Sequence, residues 1–99
     1  NVILLTLSSY TKVISMFTKK IFAERLLQIR KATHTTQANI AAALGVSTAF
    51  ISDMEHGRKT TSIEKLAQIC AFYNISADYL LGLIDEMLPP VHNQKEDAS

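Results

Sequence analysis

One pattern recurs through residues 18–84 of this chain: a Ser or Thr, then an apolar stripe at helical spacing, then a residue that ends a helix. A Ser or Thr side chain binds the free N–H groups at a helix start. Gly or Asn takes the left-handed conformation that closes a helix end. The pattern predicts an all-α fold with helices over residues 19–32, 37–44, 48–56, 63–73 and 77–81. The predicted caps are Thr18, Thr36, Ser47, Ser62 and Ser76, and the predicted stops are Gly45, Gly57, Asn74 and Gly82.

The segments on either side differ from this region, so we divide the chain into residues 1–17, 18–84 and 85–99. Residues 1–17 are apolar or Ser/Thr, with only Lys12 charged. We expect them to pack against a partner subunit, to form an added strand or helix, or to be an upstream or cloning-derived segment ahead of a start at Met16. Residues 85–99 contain a Pro-Pro pair and few apolar residues, which predicts a flexible acidic tail.

Length and composition exclude several classes of protein. With 99 residues the chain has room for one domain, and is too short for an α/β barrel or a doubly wound enzyme. It has no nucleophile elbow and no Gly-rich phosphate loop, so we expect no enzyme activity and no cofactor. The single Cys70 excludes an internal disulfide and suits a reducing cytoplasm. Three scattered His residues predict no metal site, and no apolar run is long enough to predict a membrane span.

The second and third predicted helices are joined by only Gly45, Val46 and Ser47. So short a connection forces the two helices to cross steeply. Val46 and Ile51 would fill the corner between them. This is the geometry of a helix-turn-helix, in which the second helix protrudes and fits the major groove of B-DNA.

Residues Phe22 to Leu83 resemble the Cro-and-repressor type of helix-turn-helix protein, also called the xenobiotic-response-element family. The resemblance implies a compact five-helix, repressor-like DNA-binding domain and a transcriptional regulator of bacterial or phage type. The matching residues are Thr36-Gln37, Ile40-Ala41, Leu44-Gly45-Val46-Ser47, Phe50-Ile51-Ser52, Glu55, Gly57, Ser62-Ile63, Leu66 and the run from Ser76 to Gly82.

The resemblance also implies roles for individual residues. Base-facing positions on the third helix would be Thr48, Ala49, Ser52 and Asp53. Phosphate or sugar contacts would come from Gln37, Ser47, Phe50, His56, Arg58 and Lys59. Arg30 and Glu55 would form a structural ion pair. Because Thr48 and Ala49 are small, we expect little bidentate base recognition, with Asp53 able to accept a hydrogen bond from the amino group of cytosine.

Charge is unevenly distributed along the chain. The formal total is +1, but residues 18–84 carry eight basic and five acidic residues, whereas residues 85–99 carry one and four. A mildly basic domain predicts few phosphate contacts per subunit. We therefore expect a homodimer on a palindromic site in double-stranded DNA.

One departure from the family is His34-Thr35, where a Gly and an apolar residue are usual, which predicts a looser turn before the second helix.

A second class of function stays open at this point. The same fold serves as a protein-interaction module, such as an antitoxin or an accessory subunit that binds a protein partner. DNA affinity at low salt would distinguish the two. A DNA-binding protein binds the phosphate backbone at low salt, and its affinity falls as the salt concentration rises.

Overall fold

The computed structural model describes residues 2–90, with side chains from Ser9 onward. This part of the chain forms five α-helices and no strand: α1 (Val2–Ala32), α2 (Gln37–Leu44), α3 (Thr48–Glu55), α4 (Ile63–Tyr73) and α5 (Ala77–Leu80). The all-α prediction is confirmed. The bounds of α2 and α4 are as predicted, and α3 and α5 each end one residue earlier.

Four of the predicted caps act at the starts of α2 to α5. The hydroxyls of Thr36, Ser47, Ser62 and Ser76 each accept a hydrogen bond from the backbone N–H three residues ahead. At the start of α2 the bond is reciprocal, because the Asn39 side chain accepts from the Thr36 N–H at 2.9 Å. These caps satisfy donors that the helix itself leaves free.

The first helix is much longer than predicted, because α1 begins at Val2. Thr18 therefore lies inside a helix and is not a cap. A Ser or Thr marks a helix start only where the backbone before it leaves the helical conformation, and residues 1–17 contain neither Gly nor Pro to cause this. On this added part of α1, Tyr10, Val13, Met16 and Phe17 are exposed.

One hydrophobic core lies among the helices. Leu26, Ile40, Leu44 and Ile51 are almost fully buried in it, and Val46 packs against it from the turn between α2 and α3. Cys70 is buried in this core, and burial raises the pKa of its thiol. The remaining core side chains are Phe22, Ile29, Ala41, Met54, Ile69, Ile75, Tyr79 and Leu80.

The C-terminal part of the described chain is fastened to α1 through Arg25. Its Nη1 donates to the backbone oxygens of Tyr79 at 2.6 Å and Ile84 at 2.5 Å, and its Nη2 lies 2.8 Å from Asp85 Oδ1. The Ser76 N–H also donates to the Leu88 carbonyl at 2.8 Å. The folded body thus continues past the predicted boundary at residue 84; the rest of the predicted tail, 91–99, lies outside the described residues.

The turn between α1 and α2 is well bonded, contrary to the looser turn that the sequence predicts. His34 takes the left-handed conformation, with φ 57°, which explains why Gly suits this position. Thr35 holds the turn, since its hydroxyl lies 2.8 Å from the Tyr73 hydroxyl and its carbonyl accepts from Arg30 Nη1 at 3.2 Å.

Candidate nucleic-acid interface

The third helix has a buried side and an outward side. Ile51 and Met54 are fully buried on the inner side, whereas Thr48 and Ala49 are exposed and Ser52 and Asp53 are half-buried on the outer side. The connection from α2 holds this orientation, because Gly45 has φ 70° and the Val46 N–H donates to the Ala41 carbonyl at 3.0 Å. The four predicted base-facing residues thus lie together on one accessible surface.

The end of α3 is closed by a Schellman motif. The Arg58 N–H donates to the Asp53 carbonyl at 2.8 Å and the Gly57 N–H donates to the Met54 carbonyl at 3.1 Å. Gly57 has φ 72°, the left-handed conformation that this motif requires. The motif folds the chain back, so that Arg58 and Lys59 lie beside the last turn of α3 instead of continuing away from it.

Asp53 therefore meets both of the basic residues that follow α3. Its Oδ1 accepts from Arg58 Nε at 2.9 Å, and its Oδ2 lies 3.6 Å from Lys59 Nζ. The hydrogen bond from Arg58 lowers the pKa of Asp53, and the charge of Lys59 acts in the same direction. Lys59 Nζ also lies 5.5 Å from the centre of the Phe50 ring. We call Phe50, Asp53, Arg58 and Lys59 the α3-end cluster.

Glu55, two residues along, faces the opposite way. Its side chain is 1% exposed and accepts hydrogen bonds from Arg30 Nε at 2.5 Å and Arg30 Nη2 at 3.1 Å. Gln37 Nε2 donates to the same carboxylate at 3.0 Å. The hydrogen bond that Arg30 donates to Glu55 raises the pKa of Arg30, opposing the effect of burial. Three donors on one buried carboxylate tie α1, α2 and α3 together.

His56 closes the accessible surface at the C-terminal end of α3. It is exposed, and its Nδ1 lies 2.7 Å from the Ser52 carbonyl oxygen. A carbonyl only accepts, so Nδ1 carries the proton. His56 also lines an open groove of about 450 Å³ together with Lys19 and Lys20 of α1. These two lysines are basic groups near the interface that the motif does not identify.

The predicted phosphate-contacting residues fall into two sets. Arg58, Lys59 and His56 lie together at the end of α3, with Phe50 beside Lys59. Gln37 and Ser47 lie at the starts of α2 and α3, and each already has an internal partner: Glu55 for the Gln37 amide and the Phe50 N–H for the Ser47 hydroxyl. The contact of Gln37 with Glu55 was not predicted, because residue spacing alone does not show which way a long amide turns.

These features define a helix-turn-helix domain of the repressor type, and comparisons with known proteins agree. A family model described as "Helix-turn-helix" matches residues 26–80. The chain belongs to this family.

Individual relatives are similar over most or half of the chain. The HTH-type transcriptional regulator YobD of Bacillus subtilis (strain 168) is 32% identical over 73 residues, which is 74% of this chain and 65% of YobD. The ImmF control region 10 kDa protein of Bacillus phage phi105 is 37% identical over 51 residues, or 52% of this chain and 57% of that protein. The matched stretch thus covers under two thirds of either relative.

A solved structure extends the similarity to the fold. The crystal structure of the clp gene regulator ClgR from Corynebacterium glutamicum matches with a TM-score of 0.62 and 26% identity, over 82% of this chain and 85% of that one. Within residues 2–90, α1 included, no helix combines the length and apolar character needed to cross a membrane.

Proposed function

We propose that this protein is a sequence-specific DNA-binding transcriptional regulator of bacterial or phage type, with α3 and its C-cap, residues 48–56, placed in the major groove. The observation that carries the proposal is the outward side of α3, where Thr48, Ala49, Ser52 and Asp53 lie on one accessible surface beside two basic residues. Small side chains let the helix approach the base edges closely, and the Thr and Ala methyl groups suit thymine methyl groups.

Phosphate contacts would flank this helix at both ends. Arg58 and Lys59 are 58% and 56% exposed and can reach the DNA backbone beyond the end of α3. His56 and Lys20 line a neighbouring groove and could add further phosphate contacts. At the other end, Gln37 and Ser47 stand at helix starts, where free N–H groups favour an anion. With DNA as its partner the protein would act in the cytoplasm, and we expect it to need no cofactor and to catalyse no reaction.

The protein would act as a homodimer on a roughly palindromic site. A single domain offers few cations, so binding two half-sites together is needed for useful affinity. The contact we propose between copies is the exposed apolar side of α1. Tyr10, Ile14 and Phe17 are exposed and follow the alternating four- and three-residue spacing of a two-helix seam, with Lys12 outside it. An uncharged seam of this kind suits a second copy of itself.

Light scattering on the full chain tests the dimer. Exchanging Ile14 and Phe17 together for Glu places charges in the seam, and the measured mass should fall from two chains to one. Exchanging Lys12 for Glu adds acidic character outside the seam and should leave the mass at two chains. An unchanged mass in the double variant would contradict a seam on α1.

Binding to DNA selected from a random pool tests the function itself. Arg58→Ala and Lys59→Ala should each weaken binding to the selected DNA and reduce its salt slope by about one. Lys12→Ala removes the same charge from the far part of α1 and should leave the slope unchanged. No binding by the wild-type protein at low salt would overturn the proposal.

That outcome would instead favour the protein-interaction module. The feature in its support is the same apolar side of α1, where Tyr10, Ile14 and Phe17 are exposed. Exposed apolar surface of this kind marks protein contacts in general. Under this alternative the seam binds an unrelated protein, such as the toxin of a toxin–antitoxin pair. The Ala variants of Arg58 and Lys59 would then leave binding of that protein unchanged.

A further inference from the structure

The α3-end cluster joins a base-facing residue to the residues that would contact phosphate. Asp53 lies on the outward side of α3, and it holds Arg58 at 2.9 Å and Lys59 at 3.6 Å. The Schellman motif fixes this arrangement, because the Arg58 N–H is bonded to the backbone oxygen of Asp53 itself. Thus neither basic side chain can reach outward to a phosphate without weakening its contact with Asp53.

We propose that Asp53 is a specificity-determining residue that restrains Arg58 and Lys59 until an amino group of a DNA base takes their place on its carboxylate. This inference rests on the proposed DNA-binding function. It assigns to Asp53 a coupling between base recognition and phosphate contact. The base must present a donor in the major groove, which restricts it to cytosine N4 or adenine N6.

The electrostatics follow from two competing arrangements. On unspecific DNA, phosphates attract Arg58 and Lys59, but releasing them leaves the Asp53 carboxylate unpaired and facing a polyanion. On a site with a well-placed amino group, the carboxylate gains a new donor, so both basic residues are free to bind phosphate. A repulsive group that is satisfied only by the right partner raises specificity by penalising the wrong ones.

Partial exposure makes this exchange possible. The side chain of Asp53 is 27% exposed, and those of Arg58 and Lys59 are more than half exposed. Water and DNA can therefore compete for these groups, which they cannot do at a buried pair. The Phe50 ring makes a cation–π contact with the Lys59 ammonium, which keeps Lys59 near the interface.

Asp53→Asn tests the coupling, because Asn keeps the shape and an acceptor oxygen but removes the charge. We would measure dissociation constants across salt for two duplexes of equal length: the best site selected by the wild-type protein and a random sequence. Binding to the random duplex should tighten by about 3- to 10-fold at low salt, with a salt slope steeper by about one. Binding to the selected site should gain less, so the ratio of the two affinities falls.

Glu64→Gln is the matched control, since it removes one exposed acidic charge from the first turn of α4. It should shift both affinities equally. A matching equal shift in Asp53→Asn would overturn the coupling while leaving DNA binding intact, as would no shift at all. If the wild-type protein binds neither duplex at low salt, the DNA-binding function fails and the inference with it.

A double variant tests whether Asp53 and Arg58 act together. If Asp53 restrains Arg58, then Arg58→Ala should weaken binding to the random duplex more in the Asp53→Asn background than in the wild-type background. Equal losses in both backgrounds would show that the two residues act independently and would overturn the proposal. Circular dichroism should give all these variants a melting temperature close to that of the wild-type protein.

Discussion

The third helix carries two carboxylates two residues apart, and each is hydrogen-bonded to an arginine. Glu55 is almost completely enclosed and binds Arg30 across helices, whereas Asp53 is partly in water and binds Arg58, five residues further along the chain. Burial makes the first pair part of the core, because a lone charge there has no solvent to stabilise it. Exposure leaves the second pair weak and exchangeable. The same chemical contact thus serves the fold on one side of α3 and, in our proposal, DNA recognition on the other.

The strongest test of this contrast is Glu55→Ala. It leaves the Arg30 guanidinium and the Gln37 amide without their common acceptor, and we expect the free energy of unfolding to fall by about 3–5 kcal/mol. Urea denaturation measures this directly. Glu64→Ala, an exposed carboxylate on α4, should stay within about 0.5 kcal/mol of the wild-type protein. A near-wild-type stability for Glu55→Ala would mean that the two sides of α3 do not differ as described.

Gln37→Ala probes the smaller contact on the buried side. Its amide gives Glu55 a third hydrogen bond, and losing a bond to a charged group should reduce the free energy of unfolding by about 1–3 kcal/mol. Gln37 is also a proposed phosphate contact, so DNA affinity should fall as well. If affinity falls and stability does not, Gln37 belongs with the exposed residues and the bond to Glu55 has no energetic weight.

His34→Gly tests the turn that contacts Arg30, the basic residue of the buried pair. Arg30 also donates to the carbonyl of Thr35, in the turn where His34 has a positive φ. Gly adopts this conformation without steric penalty but loses more entropy on folding, so we expect a net gain of up to about 1 kcal/mol. Thermal unfolding measures the gain. A lower melting temperature would show that the imidazole itself supports the turn.

The smallest effect concerns the titration of Asp53. Because Arg58 lowers the pKa of Asp53, the ion pair contributes its stability above the ordinary carboxyl pKa and loses it as the pH falls through the lower value of the folded state. NMR of the carboxyl carbon should show this lowered pKa. Arg58→Ala should move it back toward the ordinary value, and Lys12→Ala should not. An unchanged pKa in Arg58→Ala would remove the evidence for the exposed pair.

Much of this architecture is predictable from local sequence, since caps and stops act within four residues of where they stand. Thr36, Ser47, Ser62 and Ser76 place the starts of four helices correctly because each binds an N–H of its own first turn. Thr18 fails for the same reason: its neighbours remain helical, so no free N–H is present for it to cap. A cap residue is informative only next to a residue that breaks the preceding helix.

The site is less predictable, because its partners depend on how separate elements meet. The base-facing roles of Thr48, Ala49, Ser52 and Asp53 come from the family resemblance, and helical periodicity places the four residues on one side of α3. The contact of Gln37 with Glu55 depends on the crossing of α2 and α3, which residue spacing does not define. The pairing of Asp53 with Arg58 was accessible in principle, since a Gly at position 57 predicts a Schellman motif that brings these two residues together.

Arg25 bears on the order in which the molecule folds. It joins α1 to atoms of residues 79, 84 and 85, which lie 54 to 60 positions away in the chain. Closing so long a loop costs more chain entropy than pairing neighbours such as α2 and α3, and it is therefore slower. The helix-turn-helix can therefore assemble before the ends of the domain are joined. Pulse-labelling hydrogen exchange during refolding should then protect the amides of α2 and α3 before those of α5.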